Sequence, residues 1–242
     1  MLAKLTGWLL LGVVRLLTGA QARWYGCPPK AEQRIYFANH QSHADLVMIW
    51  AALPEELRSI TRPIAARDYW ANTPFKRWIT TEVFNAVYVE RQAGAAAPAA
   101  PAAPAERIDP SLEPAAVAPP AAVAPPPAAA PAPDGPDPLA PLVEALKSGD
   151  SIIIFPEGTR GNTGEPQKFK SGLFTLAQLF PDVVLVPAWI ENIQRVMPKG
   201  EVVPVPILCS VTFGAPVRLE EGEERRPFLD RAREAVIALR HV

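Results

Sequence analysis

Cysteine is nearly missing from this chain: Cys27 and Cys209 are the only two in 242 residues. They lie far apart without metal-ligand spacing. A disulfide or metal framework is therefore not the organising device, and reduced thiols in a cytosolic compartment are expected. Charge of one sign is also missing. The formal net charge is −1, so no global field recruits nucleic acid. No apolar run reaches the ~20 residues of a membrane span. The N-terminal stretch Leu5 to Leu17 is broken by Arg15, and as a helix it reaches only about 20 Å. Finally, there is no serine elbow of the G-x-S-x-G type, so no side-chain nucleophile of that kind is on offer.

What remains suits one α/β domain. IYFAN (Ile35 to Asn39), VFNAVYVER (Val83 to Arg91), SIIIFPEG, VVLVPAWI and Pro206 to Val217 read as strands. Helical spacing falls at Ala44 to Leu53, Asn72 to Thr80, Pro141 to Lys147, Phe169 to Phe180 and from Pro227 onward. Strands alternating with helices imply a mostly parallel central sheet covered by helices. Residues 25–242 form this domain, interrupted by residues 92–141. That stretch holds fifteen of the chain's 29 prolines, with alanine filling most of the rest. It has no hydrophobic period, so it is expected to be a disordered, PPII-like insert.

Residues 1–24 read as a helix lying in a membrane interface rather than crossing it. Lys4 and Arg15 are eleven apart and share a helix face, while Trp8 and the leucines supply apolar surface. A buried packing helix or a signal segment are the alternatives, although no convincing A-x-A cleavage site is present. This reading places the chain as a monotopic protein on the cytoplasmic face of a membrane.

The chemistry starts at NHQSHAD, Asn39 to Asp45. His40 can take a proton near neutral pH, and Asp45 can fix its tautomer and stabilise the imidazolium. With no internal nucleophile, such a base acts on a substrate hydroxyl. His43 is the rival, but position 48 is methionine, so it lacks an aspartate at the same spacing. Asn39 and Ser42 are expected to cap the following helix.

Three further blocks follow in order: NAVYVER (Asn85 to Arg91), FPEGTR (Phe155 to Arg160) and VVLVPAWIEN (Val183 to Asn192). With NHQSHAD they resemble the PlsC-type 1-acyl-sn-glycerol-3-phosphate acyltransferase family. Gly161 stands where that family usually has serine. The resemblance implies the family's α/β fold, with His40 as catalytic base and Asp45 as its orienter. It implies an acceptor site of Arg91, Glu157, Gly158, Thr159 and Arg160, the arginines clamping phosphate. Glu157 has a second reading, in which it holds Arg91 or Arg160 in place. The apolar fourth block serves the acyl donor or is plain core strand. The implied reaction moves a fatty acyl group from acyl-CoA or acyl carrier protein to the sn-2 hydroxyl of 1-acyl-glycerol-3-phosphate. The product is phosphatidic acid, and neither cofactor nor metal is called for. Backbone amides near Gly158 are the expected oxyanion donors. Other acceptors, such as another lysophospholipid, a lyso-ornithine lipid or glycerol-3-phosphate, keep the same chemistry. A non-catalytic lipid-binding scaffold is the alternative of another class.

Overall fold

A computed structural model describes residues 2–42, 44–90, 137–161, 164–196 and 207–242. The expected 92–141 insert lies mostly outside these residues, as do Arg91 and His43. Chain order begins with α1 (Leu2–Thr18), β1 (Gln21–Trp24) and β2 (Arg34–Ala38). Next come α2 (Asp45–Ala52), α3 (Glu55–Ser59), β3 (Thr61–Ala66), α4 (Arg67–Trp70) and α5 (Pro74–Trp78). A π-helical turn, Ile79–Val83, leads into β4 (Val87–Val89). After residue 137 follow α6 (Ala140–Lys147), β5 (Ser151–Ile154), α7 (Gly172–Leu179), β6 (Val184–Glu191), α8 (Ile193–Val196), β7 (Ser210–Phe213) and α9 (Arg225–Ala238).

Among the described residues, seven strands form one sheet in the order β1-β7-β6-β2-β5-β3-β4. Every pairing is parallel except β6 with β7. The central strand β2 is buried at all five positions because both faces are covered. Tyr36 and Ala38 pack with α1 and α2, whereas Ile35 and Phe37 pack with α6, α7 and α9. Alternation along one strand thus feeds two cores, and the mostly parallel α/β architecture expected from the sequence is present.

Three local readings change. The helix expected over residues 1–24 stops at Thr18, because Gly19 (φ 69°) and Ala20 (φ 38°) both turn left-handed. The four residues of β1 then join the sheet edge beside β7. The strand expected over Val83 to Arg91 is reduced to Val87–Val89. Its first part is used by the π-turn and by Asn85, whose φ of 48° breaks extended backbone. Finally, β3 contains Pro63 and had no strand reading. Its partner β5 lies on one side and β4 on the other, with pairing staggered along β3.

Among the described residues no helix is long and apolar enough to cross a membrane. Helix α1 nevertheless presents Leu2, Leu5, Leu9, Val13 and Leu16 to solvent, Leu16 being 83% exposed. These positions recur at helical spacing on the side opposite buried Leu11 and Thr18. Both cysteines are free and buried. Burial pushes the Cys209 thiol up to about 11, which keeps it an inert apolar group.

Candidate active site

Parallel pairing of β2 with β5 brings the first and third sequence blocks together. Phe37 lies opposite Ile154, so the chain leaves both strands side by side at their C-terminal ends. This is where open α/β sheets place their sites. One exit carries His40 and the other carries Phe155 and Glu157. The two are bonded twice. The His40 backbone N–H donates to Glu157 Oε1 at 2.7 Å, and the Gly161 N–H donates to the His40 carbonyl at 2.8 Å.

Within the first loop His40 Nδ1 lies 2.9 Å from Asp45 Oδ2. An ionised carboxylate only accepts, so Nδ1 carries the proton and Nε2 presents its lone pair. The same Asp45 oxygen accepts the backbone N–H of Gln41 at 2.6 Å and of Ser42 at 2.8 Å. Asp45 is 1% exposed and opens α2, where the helix dipole favours a carboxylate. The other oxygen, Oδ1, is buried with no hydrogen-bond partner among the described residues. Phe155 stacks on the His40 ring with centroids 4.4 Å apart and planes 19° from parallel. Carboxylate and aromatic face together leave the imidazole one orientation.

Glu157 is 2% exposed. Its second oxygen accepts the Gln167 N–H at 2.7 Å. Burial pushes its carboxyl above the ordinary glutamate range, partly opposed by the two backbone donors. The sequence reading placed this residue on the acceptor or on an arginine. Its geometry ties the His40 loop to the segment leading into α7. The pattern E-G-T-R marked Glu157 as a site residue but carried no signal for a backbone partner ten residues on.

Gly158 turns with φ 70°, and a Cβ there would lie 2.7 Å from Lys170 Nζ and 2.8 Å from its Cε. The missing side chain therefore lets the Lys170 stem cross the turn. The Gly158 N–H donates to the Phe155 carbonyl at 3.0 Å, so this amide is engaged within the turn. Thr159 Oγ1 is 3.4 Å from Gln167 Oε1, and Arg160 is exposed beside it. Arg91 lies outside the described residues, although β4 runs to Val89 beside β3.

Asn39 does not cap α2. Its side-chain amide donates to the Ile190 carbonyl at 3.1 Å and accepts the Ile190 N–H at 2.8 Å. This pairing fastens the first block to the fourth, which is β6. Ser42 accepts from the Ala44 N–H at 3.2 Å, while α2 itself begins without a side-chain cap. In the fourth block Val186, Ala188 and Trp189 are buried core. Phe155 and Lys170 are functional candidates outside the expected site residues, Lys170 because a phosphate-site lysine and a solvated one read alike in sequence. Phe155 was visible only as the first letter of a block.

A family model described as Acyltransferase matches residues 27–191, which contain this whole constellation. The chain belongs to the acyltransferase family. Among curated proteins, this acyltransferase is 41% identical over 64 residues to the chloroplast 1-acyl-sn-glycerol-3-phosphate acyltransferase LPAT1 of Arabidopsis thaliana. That stretch is 26% of this chain and 18% of the relative. The 1-acyl-sn-glycerol-3-phosphate acyltransferase of Cocos nucifera is 35% identical over 89 residues, 34% of this chain and 26% of that one. The matched stretches thus span about a quarter or less of these relatives. Among solved structures, the 1-acyl-sn-glycerophosphate acyltransferase PlsC of Thermotoga maritima shares the fold. Its TM-score is 0.59 at 19% identity, over 99% of this chain and 82% of that one.

Proposed function

We propose that this acyltransferase moves a fatty acyl group from acyl-CoA or acyl carrier protein to the sn-2 hydroxyl of 1-acyl-sn-glycerol-3-phosphate. The observation that carries this reading is the His40–Asp45 pair locked to the FPEGTR turn through Glu157. His40 Nε2 takes the proton of the acceptor hydroxyl as its oxygen attacks the thioester carbonyl. The tetrahedral intermediate collapses, the carbon–sulfur bond breaks, and His40 returns the proton to the departing thiolate. Asp45 stabilises the imidazolium in between. No side chain is acylated.

The acceptor phosphate is assigned to the turn at Gly158, Thr159 and Arg160 together with Arg91, and Lys170 adds a cation beside Gly158. Glu157 acts through the His40 loop. The relatives named above act, by their names, on this acceptor, which favours it over other lysolipids. The exposed leucine face of α1 rests on a membrane that supplies the lipid.

An acceptor panel tests the assignment. The purified enzyme is given one thioester donor and, in turn, lysophosphatidate, glycerol-3-phosphate and a lyso-ornithine lipid. Lysophosphatidate is expected to be consumed with the highest kcat/KM. Use of another acceptor with none of lysophosphatidate refutes the acceptor assignment. Unchanged transfer by His40→Ala refutes the mechanism.

A further inference from the structure

Phe155 lies against the base yet takes no part in the steps above. It follows Ile154, the last residue of β5, and its carbonyl accepts the Gly158 N–H at 3.0 Å. Strand and turn together fix where its ring can go. The ring is half-buried and packs against the core that includes α2. It also stacks on the His40 imidazole, with centroids 4.4 Å apart and planes 19° from parallel.

Many apolar side chains could fill that space. An aromatic ring adds something else, because its face carries the negative lobe of the ring quadrupole. A cation within about 6 Å of the ring centroid is attracted to that face. His40 becomes a cation when it holds the proton of the acceptor hydroxyl, and its ring then lies on the Phe155 face. Neutral imidazole gains less from the same contact. An interaction that strengthens toward the transition state accelerates the reaction, whereas one equal in both states does not. The remaining polar contacts leave this face to Phe155. Asp45 Oδ2 meets the ring at Nδ1, 2.9 Å away. Glu157 is bound to the backbone N–H groups of His40 and Gln167 rather than to the imidazole. The His40 side chain is 16% exposed, so water screens the imidazolium only in part.

We propose that Phe155 is a positioning residue whose ring face stabilises the His40 imidazolium during acyl transfer. Asp45 and Phe155 then divide the charge stabilisation, the carboxylate acting at Nδ1 and the aromatic from the face. The proposal rests on the reading of His40 as the base that deprotonates the acceptor hydroxyl. It makes turnover depend on the electron density of the Phe155 ring and not on its shape alone.

A fluorination series at position 155 tests it, since fluorine drains the ring face while nearly conserving its shape. The full chain is made with mono-, tri- and pentafluorophenylalanine there, and thiol release from an acyl thioester is followed with the preferred acceptor. kcat should fall stepwise, by about threefold to tenfold over the series, the range expected of a cation–π contact. KM for the acceptor and the melting temperature should stay near wild type. Phe155→Tyr keeps the face and should keep most of kcat, whereas Phe155→Leu should lose about as much as the pentafluoro ring. Should Phe155→Leu not fold, the fluorinated series decides alone. Constant kcat along the series, in a protein whose wild type transfers acyl groups, overturns the proposal and leaves the base assignment standing. A loss carried by KM alone also overturns it, because the ring then touches substrate rather than acting through His40. A wild type that transfers to none of the acceptors in the panel defeats the base assignment and this proposal with it.

Discussion

Asp45→Asn separates the electrostatic work of Asp45 from its structural work. In the native loop one carboxylate oxygen takes three donors, His40 Nδ1 and the N–H groups of Gln41 and Ser42. The asparagine carbonyl can occupy that position and keep all three. Its NH2 then replaces Oδ1, which already lacks a partner among the described residues, so one orphan polar group replaces another. Stability should change by only about 1 kcal/mol. Catalysis should not escape so lightly. A carboxylate and an imidazolium whose charges are about 4 Å apart attract by ~4 kcal/mol at an effective dielectric of 20. A neutral amide retains ~1 kcal/mol of this as an ordinary hydrogen bond. The loss of about 3 kcal/mol at the transition state corresponds to roughly a hundredfold in kcat. Asp45→Ala should lose as much activity and also strand two backbone donors, lowering stability by about 2 kcal/mol or more. The assay is thiol release from an acyl thioester beside a thermal melt. An Asp45→Asn enzyme with near-native kcat refutes the base–orienter assignment. One that melts like Asp45→Ala refutes the division of labour.

Three other outcomes follow from the site and the chain. Glu157 sits above its ordinary pKa in the native state through burial. The folded protein therefore holds that proton longer than the unfolded chain, and stability falls as pH rises from the ordinary glutamate value through the raised one. Glu157→Gln should abolish this dependence while leaving one of two backbone donors facing an NH2. It should lower the melting temperature and kcat together, and a pH series of melts unchanged by the substitution refutes the assignment. Gly158→Ala should raise KM for the acceptor more than it lowers kcat, because a Cβ displaces Lys170 and strains a φ of 70°. Steady-state kinetics on varied acceptor, with Lys170→Met as comparison, decide it. Deleting residues 93–133 should leave melting temperature and kcat nearly native, since that composition cannot bury a core. Failure of the shortened chain to fold refutes this.

The sequence made β2, β5 and β6 legible because buried parallel strands announce themselves as apolar runs. It hid β1 inside an apparent helix, since four edge residues carry too little pattern, and Pro63 obscured β3. The dyad was readable because six consecutive residues, His40 to Asp45, hold both partners. Glu157 bonded to the His40 backbone, Phe155 stacked on its ring and Asn39 bound to Ile190 were not. Each depends on which strands become neighbours, and that is a property of the sheet rather than of any segment.

The strand order has a consequence for synthesis. β2 leaves the ribosome early, yet its neighbours β5 and β6 come from the second half of the chain. A nascent chain already carrying His40 and Asp45 lacks Phe155, Glu157, Gln167 and Ile190, so its histidine loop is unbraced. Catalytic competence should therefore arrive late and abruptly during translation, once β5 and β6 have been made.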